Sequence, residues 1–344
     1  DFTAWMSDLN HDAYCRIHGF TGTVAGDCGG LPTLPSSAGP WVRIDGHPFA
    51  TSIPEMLDPT GRVYAPVLFD EFGASPPESS YFTATGGDGI YIAHASSACI
   101  NWTAALSSSV GAGSPFRTTS SWSFTGTNGC HQNRPLLCMQ IESGPALPPI
   151  LNHGGLAFVT SVSGLGRLED WPDSGGNVGI AAADAICRTR ARAGGLRDPD
   201  SFKAWISTAA VNAPDRISFN GPWVRLDGVV VAQSKTDLLD GELFGPINQD
   251  EYGAYIGNGF VLTGTDSAGL WGGEDCHGWS SDLSNVFATS GRVNEVKRWT
   301  DIGYGNGCAY QAHLFCLSET ENGPVLFFNG FESGGTGEWT STVP

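Results

Sequence analysis

Two groups of residues in this sequence have the types and spacing to do chemistry: nine cysteines, and a set of loop carboxylates that occurs twice. The cysteines form almost no CxxC pairs of the kind that bind zinc, so their spacing indicates disulfide bonds. Disulfide bonds persist in oxidising surroundings, and we therefore expect a secreted protein, extracellular or at a cell surface. Carboxylates in loops suit calcium, because that ion takes about six to eight oxygen ligands.

The recurring carboxylates allow two interpretations, a calcium site and a structural role. They are Asp58, Asp70 and Glu71 in the first half of the chain, and Asp240, Asp250 and Glu251 in the second. Asp-Gly in "RIDG" and "RLDG" is common hairpin chemistry. Arg43 with Asp45, and Arg225 with Asp227, can each form an internal ion pair. We expect no cofactor, with calcium as the alternative.

The sequence does not show the residues of a catalytic site. None of the eight histidines recurs at the equivalent position of the other half, and no HExxH, GxSxG or Walker pattern occurs. The loop "GTDSAG" (264–269) is similar to a serine-protease loop, but its counterpart "ATGGDG" (84–89) lacks the serine. We expect a protein that is not an enzyme, with a hydrolase of unknown type as a further alternative.

Length and composition indicate about two folded domains in 344 residues. Charged residues are only 15% of the chain and the formal net charge is −18. Nucleic acid and anionic membranes bind clustered Lys and Arg, so this charge argues against both as partners. No run of about 20 apolar residues occurs, so we expect no membrane span. Without an initiator methionine or a signal peptide, the chain is expected to be mature or trimmed.

Self-comparison shows a tandem repeat. Motifs return in the same order: "FTAW" as "FKAW", "GPWVRIDG" as "GPWVRLDG", "DEFG" as "DEYG", and "NGCHQNRPLLC" as "NGCAYQAHLFC". Repeat one covers 1–143 and repeat two covers 157–319. The Pro- and Gly-rich segment 144–156 between them is typical of a short, semi-rigid linker, and 320–344 is a tail.

Most predicted elements are short strands. The segments "WVRID", "YIAHA", "GFVLTGT" and "HLFCL" have β-branched or aromatic residues between turn signals. Asn-Gly before Cys130 and before Cys308 predicts a type I′ hairpin turn that leads each cysteine onto a strand. The Ala-rich segment 179–196 predicts a helix that carries Cys187. The preceding "LAFVTSVSG" predicts a strand, so repeat two opens as strand and helix.

The cysteines are distributed unevenly between the repeats. Repeat two has Cys187, Cys276, Cys308 and Cys316, and four cysteines allow three connectivities. Repeat one has counterparts of the last three, which are Cys99, Cys130 and Cys138. Its insertion between "FTAW" and "GPWVR" holds Cys15 and Cys28, which we expect to pair with each other. We expect repeat one to lack the opening strand and helix, which leaves Cys138 unpaired or intermolecular.

Repeat two has an ordered series of landmarks: "ADAICRTRARAGGL", "FKAWIS", "GPWVRLDG", "LLDG", "DEYG", "LTGT", Cys-x2-Trp, Trp and two closing cysteines. The series resembles a family of secreted bacterial domains of endostatin-like, C-type-lectin-like fold, which has no assigned activity. The resemblance covers nearly all of repeat two and most of repeat one. It implies two tandem α+β domains of short strands, with one main helix per complete domain. It also implies nested disulfides, Cys187–Cys316 and Cys276–Cys308, with Cys99 and Cys130 as the inner pair of repeat one.

Ligand-binding motifs are weak by comparison. C-type lectins that hold sugar through calcium usually carry Glu-Pro-Asn or Gln-Pro-Asp with Trp-Asn-Asp, and this sequence has none of them. The tryptophans that recur beside cysteines and landmarks are expected in the core. Trp171, Trp271 and Trp339 do not recur and are better candidates for surface contacts. Asn101 begins an N-glycosylation sequon, Asn-Trp-Thr.

The tail predicts an assembly strand. Its segment "GPVLFFNGF" is an apolar strand in excess of the repeat, with Val325, Leu326, Phe327, Phe328 and Phe331 as its apolar residues. The adjoining "GFESG" resembles a C-terminal segment of exported proteins of Gram-negative bacteria. A spare strand at one end and an open sheet at the other would allow β-strand addition between copies. We therefore expect the subunit of a self-assembling extracellular fibre, and as the alternative a monomeric adhesin that binds polysaccharide or matrix.

Overall fold

The computed structural model describes residues 1–58, 63–77, 79–93, 98–105, 108–141, 143–148, 150 and 152–321. The chain forms two compact units, Asp1–Leu147 and a second one that starts at Pro148. This boundary falls inside the segment predicted as a linker, 144–156. Both units mix helices with short strands. Within the described ranges, no helix has the length and apolar character needed to cross a membrane.

The first unit consists of short elements. Its strands are β1 (Phe2–Ala4), β2 (Trp41–Val42), β3 (Pro48–Ala50), β4 (Tyr81–Phe82), β5 (Ser109–Gly113), β6 (Gly126–Gly129) and β7 (Cys138–Gln140). Its helices are α1 (Ala13–Ile17), α2 (Asp27–Gly30), α3 (Ile53–Met56) and α4 (Ala98–Trp102), with 3-10 turns at Val24–Gly26 and Thr119–Trp122. Left-handed backbone at Cys28 and Cys99 makes α2 and α4 tight turns that present a cysteine.

The second unit adds a long helix. Its strands are β8 (Gly155–Val159), β9 (Phe202–Ala204), β10 (Trp223–Val224), β11 (Val230–Ala232), β12 (Phe260–Leu262), β13 (Phe287–Ala288), β14 (Ser290–Arg292), β15 (Asn306–Gly307) and β16 (Phe315–Ser318). Its helices are α5 (Gly179–Ala193), α6 (Ala213–Arg216), α7 (Lys235–Leu238) and α8 (Cys276–Trp279), with 3-10 turns at Leu168–Asp170, Pro172–Ser174 and Pro199–Ser201. The helix predicted over 179–196 is confirmed as α5.

A five-stranded sheet organises the second unit, in the order β11-β10-β8-β16-β9. The central strand β8 runs parallel to β10 and antiparallel to β16. Its residues are buried on both faces, which explains why "GLAFV" is continuously apolar and does not alternate. The chain order β8, α5, β9 then places α5 against the sheet.

The first unit repeats the outer parts of that sheet in the same register. Ala4 of β1 lies opposite Cys138 of β7, as Ala204 of β9 lies opposite Cys316 of β16. Likewise Trp41 of β2 pairs with a residue of β3 across a bulge, as its counterpart does in β10 and β11. Among the described residues of this unit, no strand takes the place of β8 between β2 and β7.

Buried hydrogen bonds also recur between the units. Ser7 Oγ lies 2.9 Å from Thr85 Oγ1, and Ser207 Oγ lies 2.8 Å from Thr265 Oγ1. Each serine hydroxyl also accepts from a backbone amide six residues later. These buried polar groups satisfy one another, and so they fix the same loop path in both units.

The structure has four disulfide bonds: Cys15–Cys28, Cys99–Cys130, Cys187–Cys316 and Cys276–Cys308. Cys138 is a free, exposed thiol. The longest loop is closed by Cys187 and Cys316, which are 129 residues apart and tie α5 to β16. In the chain-entropy account, a loop of that length stabilises the fold by about 4–5 kcal/mol.

Two local predictions are wrong. The Asn-Gly pairs before Cys130 and Cys308 are not hairpin turns, because Gly129 ends β6 and Gly307 ends β15, and neither has a positive φ. Pairing with the neighbouring strands holds both glycines in an extended conformation. This pairing overrides the preference of Asn-Gly for a turn. The segment "YIAHA" forms an isolated bridge at Tyr91 and no strand over its described residues.

The paired tryptophans generate a stability prediction. Trp205 donates its indole N–H to Thr300 Oγ1 at 3.0 Å, whereas the indole nitrogen of Trp299 is buried with no partner among the described residues. We expect Trp205→Phe to lower the free energy of unfolding by about 1 kcal/mol more than Trp299→Phe, because only the first change removes a hydrogen bond. Guanidinium titration followed by circular dichroism measures both. The same order is expected for Trp5→Phe against Trp122→Phe, and equal losses would contradict it.

Candidate functional site

The candidate site is one face of the strands of the first unit. The equivalent face of the second unit is covered. In the second unit, the apolar side chains of β8 and α5 pack on this face. From β8 and α5 the core contains Leu156, Phe158, Ala182, Ala183, Ile186, Cys187 and Ala191. From the strands and loops beneath, it contains Phe202, Ala204, Val224, Leu226, Leu314 and Cys316. Helix α5 therefore covers this face of the sheet, and β8 supplies its central strand.

The counterparts of the covered side chains are exposed in the first unit. We call them the open face: Phe2, Val42, Ile44, Leu136 and Cys138. Phe2 is 74% exposed and its counterpart Phe202 is 0% exposed, and Val42 is 53% exposed against 2% for Val224. Burying one side chain of this size stabilises a structure by about 1.5–3 kcal/mol. The open face thus leaves a large, localised apolar surface in contact with solvent.

Two strand edges border the open face. In the second unit, β8 fills the space between β10 and β16 with a ladder on each side. Among the residues that the structure describes, β7 of the first unit pairs with β1 alone and β2 pairs with β3 alone. The chain after β7 returns to donate a hydrogen bond from Gly144 N to Gly39 O at 2.8 Å. The backbone groups along these edges can receive one extended strand.

A buried carboxylate marks where the helix lies in the second unit. Glu251 is 0% exposed and accepts hydrogen bonds from Arg190 Nε at 2.8 Å and from Ser161 N at 2.9 Å. The Arg190 guanidinium also lies 5.5 Å from the Tyr252 ring centre. Burial lowers the pKa of Arg190, but hydrogen bonding and attraction to Glu251 outweigh burial and raise it. Arg190 belongs to α5, so this ion pair fixes the helix on the sheet.

The equivalent carboxylate of the first unit, Glu71, is exposed. The turn that carries it is the same, because Asp70 Oδ1 accepts from Phe72 N and Ala74 N at 2.9 Å each, as Asp250 does from Tyr252 N and Ala254 N. Phe72, which follows Glu71, is 87% exposed. Glu71 and Cys138 therefore occupy the positions that contact α5 in the second unit, and both face solvent.

Four of the six carboxylates proposed for calcium have other partners in the structure. Asp70 and Asp250 cap their turns as described, Asp240 Oδ1 accepts from Glu242 N at 2.9 Å, and Glu251 pairs with Arg190. The Asp58 backbone N–H bonds to Glu55 O. Across the described ranges, no three His, Cys, Asp or Glu side chains come together as a metal site. Burial raises the pKa of Asp250, and the like charge of Glu251 adds to the effect. The calcium site remains a prediction from sequence.

The remaining sequence candidates divide between core and surface. Trp171 is buried and donates its indole N–H to Leu165 O at 2.9 Å, so its prediction as a surface residue is wrong. It packs beside α5, where an apolar side chain is enclosed. Trp271 is 39% exposed, as predicted. Asn101 lies in α4 with left-handed backbone, and its Oδ1 accepts from Leu9 N. Trp339 and the assembly strand Val325–Phe331 lie outside the described residues.

Sequence reasoning anticipated Cys138 but missed the rest of the open face. The signal was available: Phe2 and Val42 sit inside the repeated motifs "FTAW" and "GPWVR", so their counterparts are defined by alignment. Their exposure is not visible in the motif itself, because the same residue is buried in one unit and exposed in the other. Burial depends on β8 and α5, which lie elsewhere in the chain.

Glu251 and Glu71 form a matched pair for a mutational test. We expect Glu251→Gln to lower the free energy of unfolding by about 3 kcal/mol, because it removes the buried carboxylate paired with Arg190 and leaves Asp173, 3.5 Å away, as the remaining anionic partner. Glu71→Gln should change it by less than about 0.5 kcal/mol, because an exposed surface carboxylate contributes little. Denaturant titration measures both. Similar losses in the two variants would show that Glu71 is already paired in solution.

Asp45 generates a pH-dependent prediction. Burial raises the pKa of Asp45, but hydrogen bonds from His47 and Arg43 outweigh burial and hold it well below the ordinary 3.8. A depressed carboxyl pKa stabilises the fold above the ordinary value, and the stabilisation is lost as the pH falls below about 4. We expect Asp45→Asn to cost about 1–3 kcal/mol near pH 7 and progressively less in acid. The exposed Asp88→Asn is the control, and a cost for Asp45→Asn that does not shrink in acid would contradict this account.

No protein-family model matches the sequence of this chain, and no curated protein matches it. The open face is thus defined within the molecule, by the contrast between two units of the same chain that share strand register and buried hydrogen bonds.

Proposed function

We propose that this protein is a non-enzymatic extracellular structural protein, a subunit that assembles head-to-tail into a fibre. One observation carries the proposal: the first unit exposes the apolar sheet face and strand edges that the second unit covers. In this proposal both units have the C-type-lectin-like, endostatin-like fold, and the first is completed by an element of the next copy. The four disulfide bonds are compatible with an oxidising, extracellular location.

The tail is the element proposed to enter the strand position between β2 and β7. Its sequence Val325-Leu326-Phe327-Phe328 follows Gly-Pro, and β8 continues as Leu156-Ala157-Phe158-Val159 after Gly-Gly. Both are continuous apolar runs, which suit a strand buried on both faces. Main-chain hydrogen bonds to the two open edges would supply affinity, and the open face would supply the apolar contact.

Such a contact is heterologous, because the tail and the open face are different surfaces of the chain. Each subunit then offers one donor and one acceptor, and the contact repeats without closing unless the rotation between copies happens to form a ring. A fibre is the expected product. Dilution should release subunits, because each contact is a separate binding equilibrium.

One observation favours the alternative, a monomeric adhesin that binds polysaccharide or matrix. On the second unit, Phe287 of β13 lies opposite Gly307 of β15, and a Cβ added at Gly307 would lie 3.4 Å from the Tyr310 ring. Phe287 and Tyr310 are 44% and 62% exposed. Two exposed aromatic rings beside a glycine could stack on sugar rings. Binding to a polysaccharide array by a chain that stays monomeric would support this alternative.

Charged substitutions in the tail test the fibre. We expect Leu326→Asp with Phe328→Asp to abolish polymers, because two carboxylates would be buried in an apolar slot. Thr340→Asp with Ser341→Asp, with the same change of charge beyond the strand, should leave polymers intact. Analytical ultracentrifugation and negative-stain microscopy over a concentration series measure the outcome.

The acceptor side is tested by Val42→Asp on the open face. We expect this variant to fold normally, because Val42 is exposed, and not to assemble. A full chain that stays monomeric at the highest soluble concentration would contradict the fibre, as would polymers that the tail substitutions leave unchanged.

A further inference from the structure

We infer that Asn258 and Gly259 form a self-modification site, at which the folded chain converts the asparagine into aspartate or isoaspartate through a cyclic imide. The reaction consumes only water and releases ammonia. Arg292 and His313 flank the pair and supply the groups that promote ring closure. The inference is independent of the proposed fibre, because it involves neither the open face nor the tail.

Asn-Gly pairs are candidates for this reaction, because glycine has no Cβ to shield its nitrogen from the asparagine side chain. The sequence has six such pairs, and four of them lie within the described residues. The pairs 128–129 and 306–307 are strand residues of β6 and β15, so ring closure there would break a ladder. The pair 258–259 precedes β12, and the Asn258 side chain is exposed.

The two reacting groups are already close together at this pair. The Gly259 backbone N–H donates to Asn258 Oδ1 at 3.0 Å. That oxygen is bonded to Cγ, the carbon that the nitrogen attacks. With a C=O bond of about 1.23 Å, the nitrogen and Cγ are at most about 4.2 Å apart. A small rotation of the side chain brings them to the separation of about 3–3.5 Å from which such a bond forms.

Arg292 supplies a hydrogen bond where charge develops. Its Nη1 donates to the same Asn258 Oδ1 at 3.2 Å. This oxygen becomes negative when the nitrogen attacks, so the guanidinium stabilises the tetrahedral intermediate. The strands hold the donor in place: Arg292 of β14 lies opposite Phe260 of β12, and its guanidinium carbon is 4.3 Å from the centre of the Phe260 ring.

His313 lies on the other side of β12 and supplies a proton acceptor. Its backbone N–H donates to Phe260 O at 2.8 Å, which fixes the residue beside the strand. Its Nδ1 lies 2.7 Å from Thr160 O and 3.1 Å from Val162 O. Two carbonyl oxygens at Nδ1 assign the proton to that nitrogen and leave Nε2 as an acceptor. Nε2 is 3.2 Å from the position of a Cβ on Gly259, so it can take the amide proton directly or through one water.

The reaction balances without an oxidant. The Gly259 nitrogen gives its proton to His313 and bonds to Cγ of Asn258, and the side-chain nitrogen takes that proton and leaves as ammonia. Water then opens the imide. Attack at Cγ gives aspartate, and attack at the main-chain carbonyl carbon gives isoaspartate, in which the chain continues through the side chain. Because ammonia is lost, the modified fraction records the time since the chain folded.

Peptide mapping by mass spectrometry over a time course tests the site, with the full chain either folded or reduced and unfolded in the same buffer. We expect the Asn-Gly pairs to react at similar rates in the unfolded chain. On folding, Asn258 should react about tenfold faster, whereas Asn128 and Asn306 should slow by at least about tenfold. A folded rate at Asn258 at or below its unfolded rate would overturn the inference.

The pair Asn220–Gly221 is the internal control for exposure. Asn220 is exposed, as Asn258 is, but within the described part of the chain its side chain has no hydrogen bond. We expect no acceleration at Asn220 on folding. Acceleration equal to that at Asn258 would show that exposure alone sets the rate, and it would overturn the roles of Arg292 and His313.

Variants separate promotion of the reaction from loosening of the fold. Arg292→Gln should slow the folded rate at Asn258 by about tenfold, Arg292→Lys should retain most of it, and Arg197→Gln, at an exposed arginine of the same unit, should leave it unchanged. His313→Gln should also slow the reaction. A loosened fold would instead raise the rate at Asn306, which lies in a ladder. Unchanged rates at both asparagines in Arg292→Gln would overturn the inference.

Discussion

The structure depends on one constraint: a β-sheet with an apolar face must be covered. The second unit meets it within its own chain, because β8 completes the ladder while α5 closes over the face, and both a disulfide and a buried ion pair fix the helix there. The first unit keeps the same strand register, the same bulge and the same buried serine–threonine contacts, yet its face is exposed. Its proposed role in assembly follows from that single difference.

The tandem organisation, the helix over 179–196 and the helix position of Cys187 could be predicted from sequence because they are local or repetitive. Periodicity, composition and self-comparison report such features directly. The Asn-Gly pairs at 128–129 and 306–307 could not be read this way, because ladder partners far along the chain decide their backbone conformation. The same applies to Trp171, whose burial comes from packing near α5 and not from its neighbours in sequence.

The open face has some features that could be predicted from sequence and others that could not. Cys138 could be anticipated because cysteines can be counted and paired. The exposure of Phe2 and Val42 could not, since their motifs are identical in kind to those whose counterparts are buried. Glu71 likewise has a counterpart in a similar turn, and only the position of Arg190 in the folded second unit gives the two carboxylates different environments. In a tandem repeat, the exposure of each residue can therefore be compared with that of its counterpart in the other unit. A large difference identifies a surface that one unit covers and the other exposes.

The disulfide pattern has a mechanical consequence for a chain under tension. In the second unit, Cys187 and Cys316 are 129 residues apart in sequence, so a pulling force bypasses the elements from β9 to β15 through one covalent bond. At about 3.5 Å per residue, roughly 450 Å of contour is withheld from extension. The first unit's disulfides enclose only 13 and 31 residues. In the proposed fibre, load would therefore lengthen the first unit of each subunit more than the second, so extensibility would be concentrated at alternate positions.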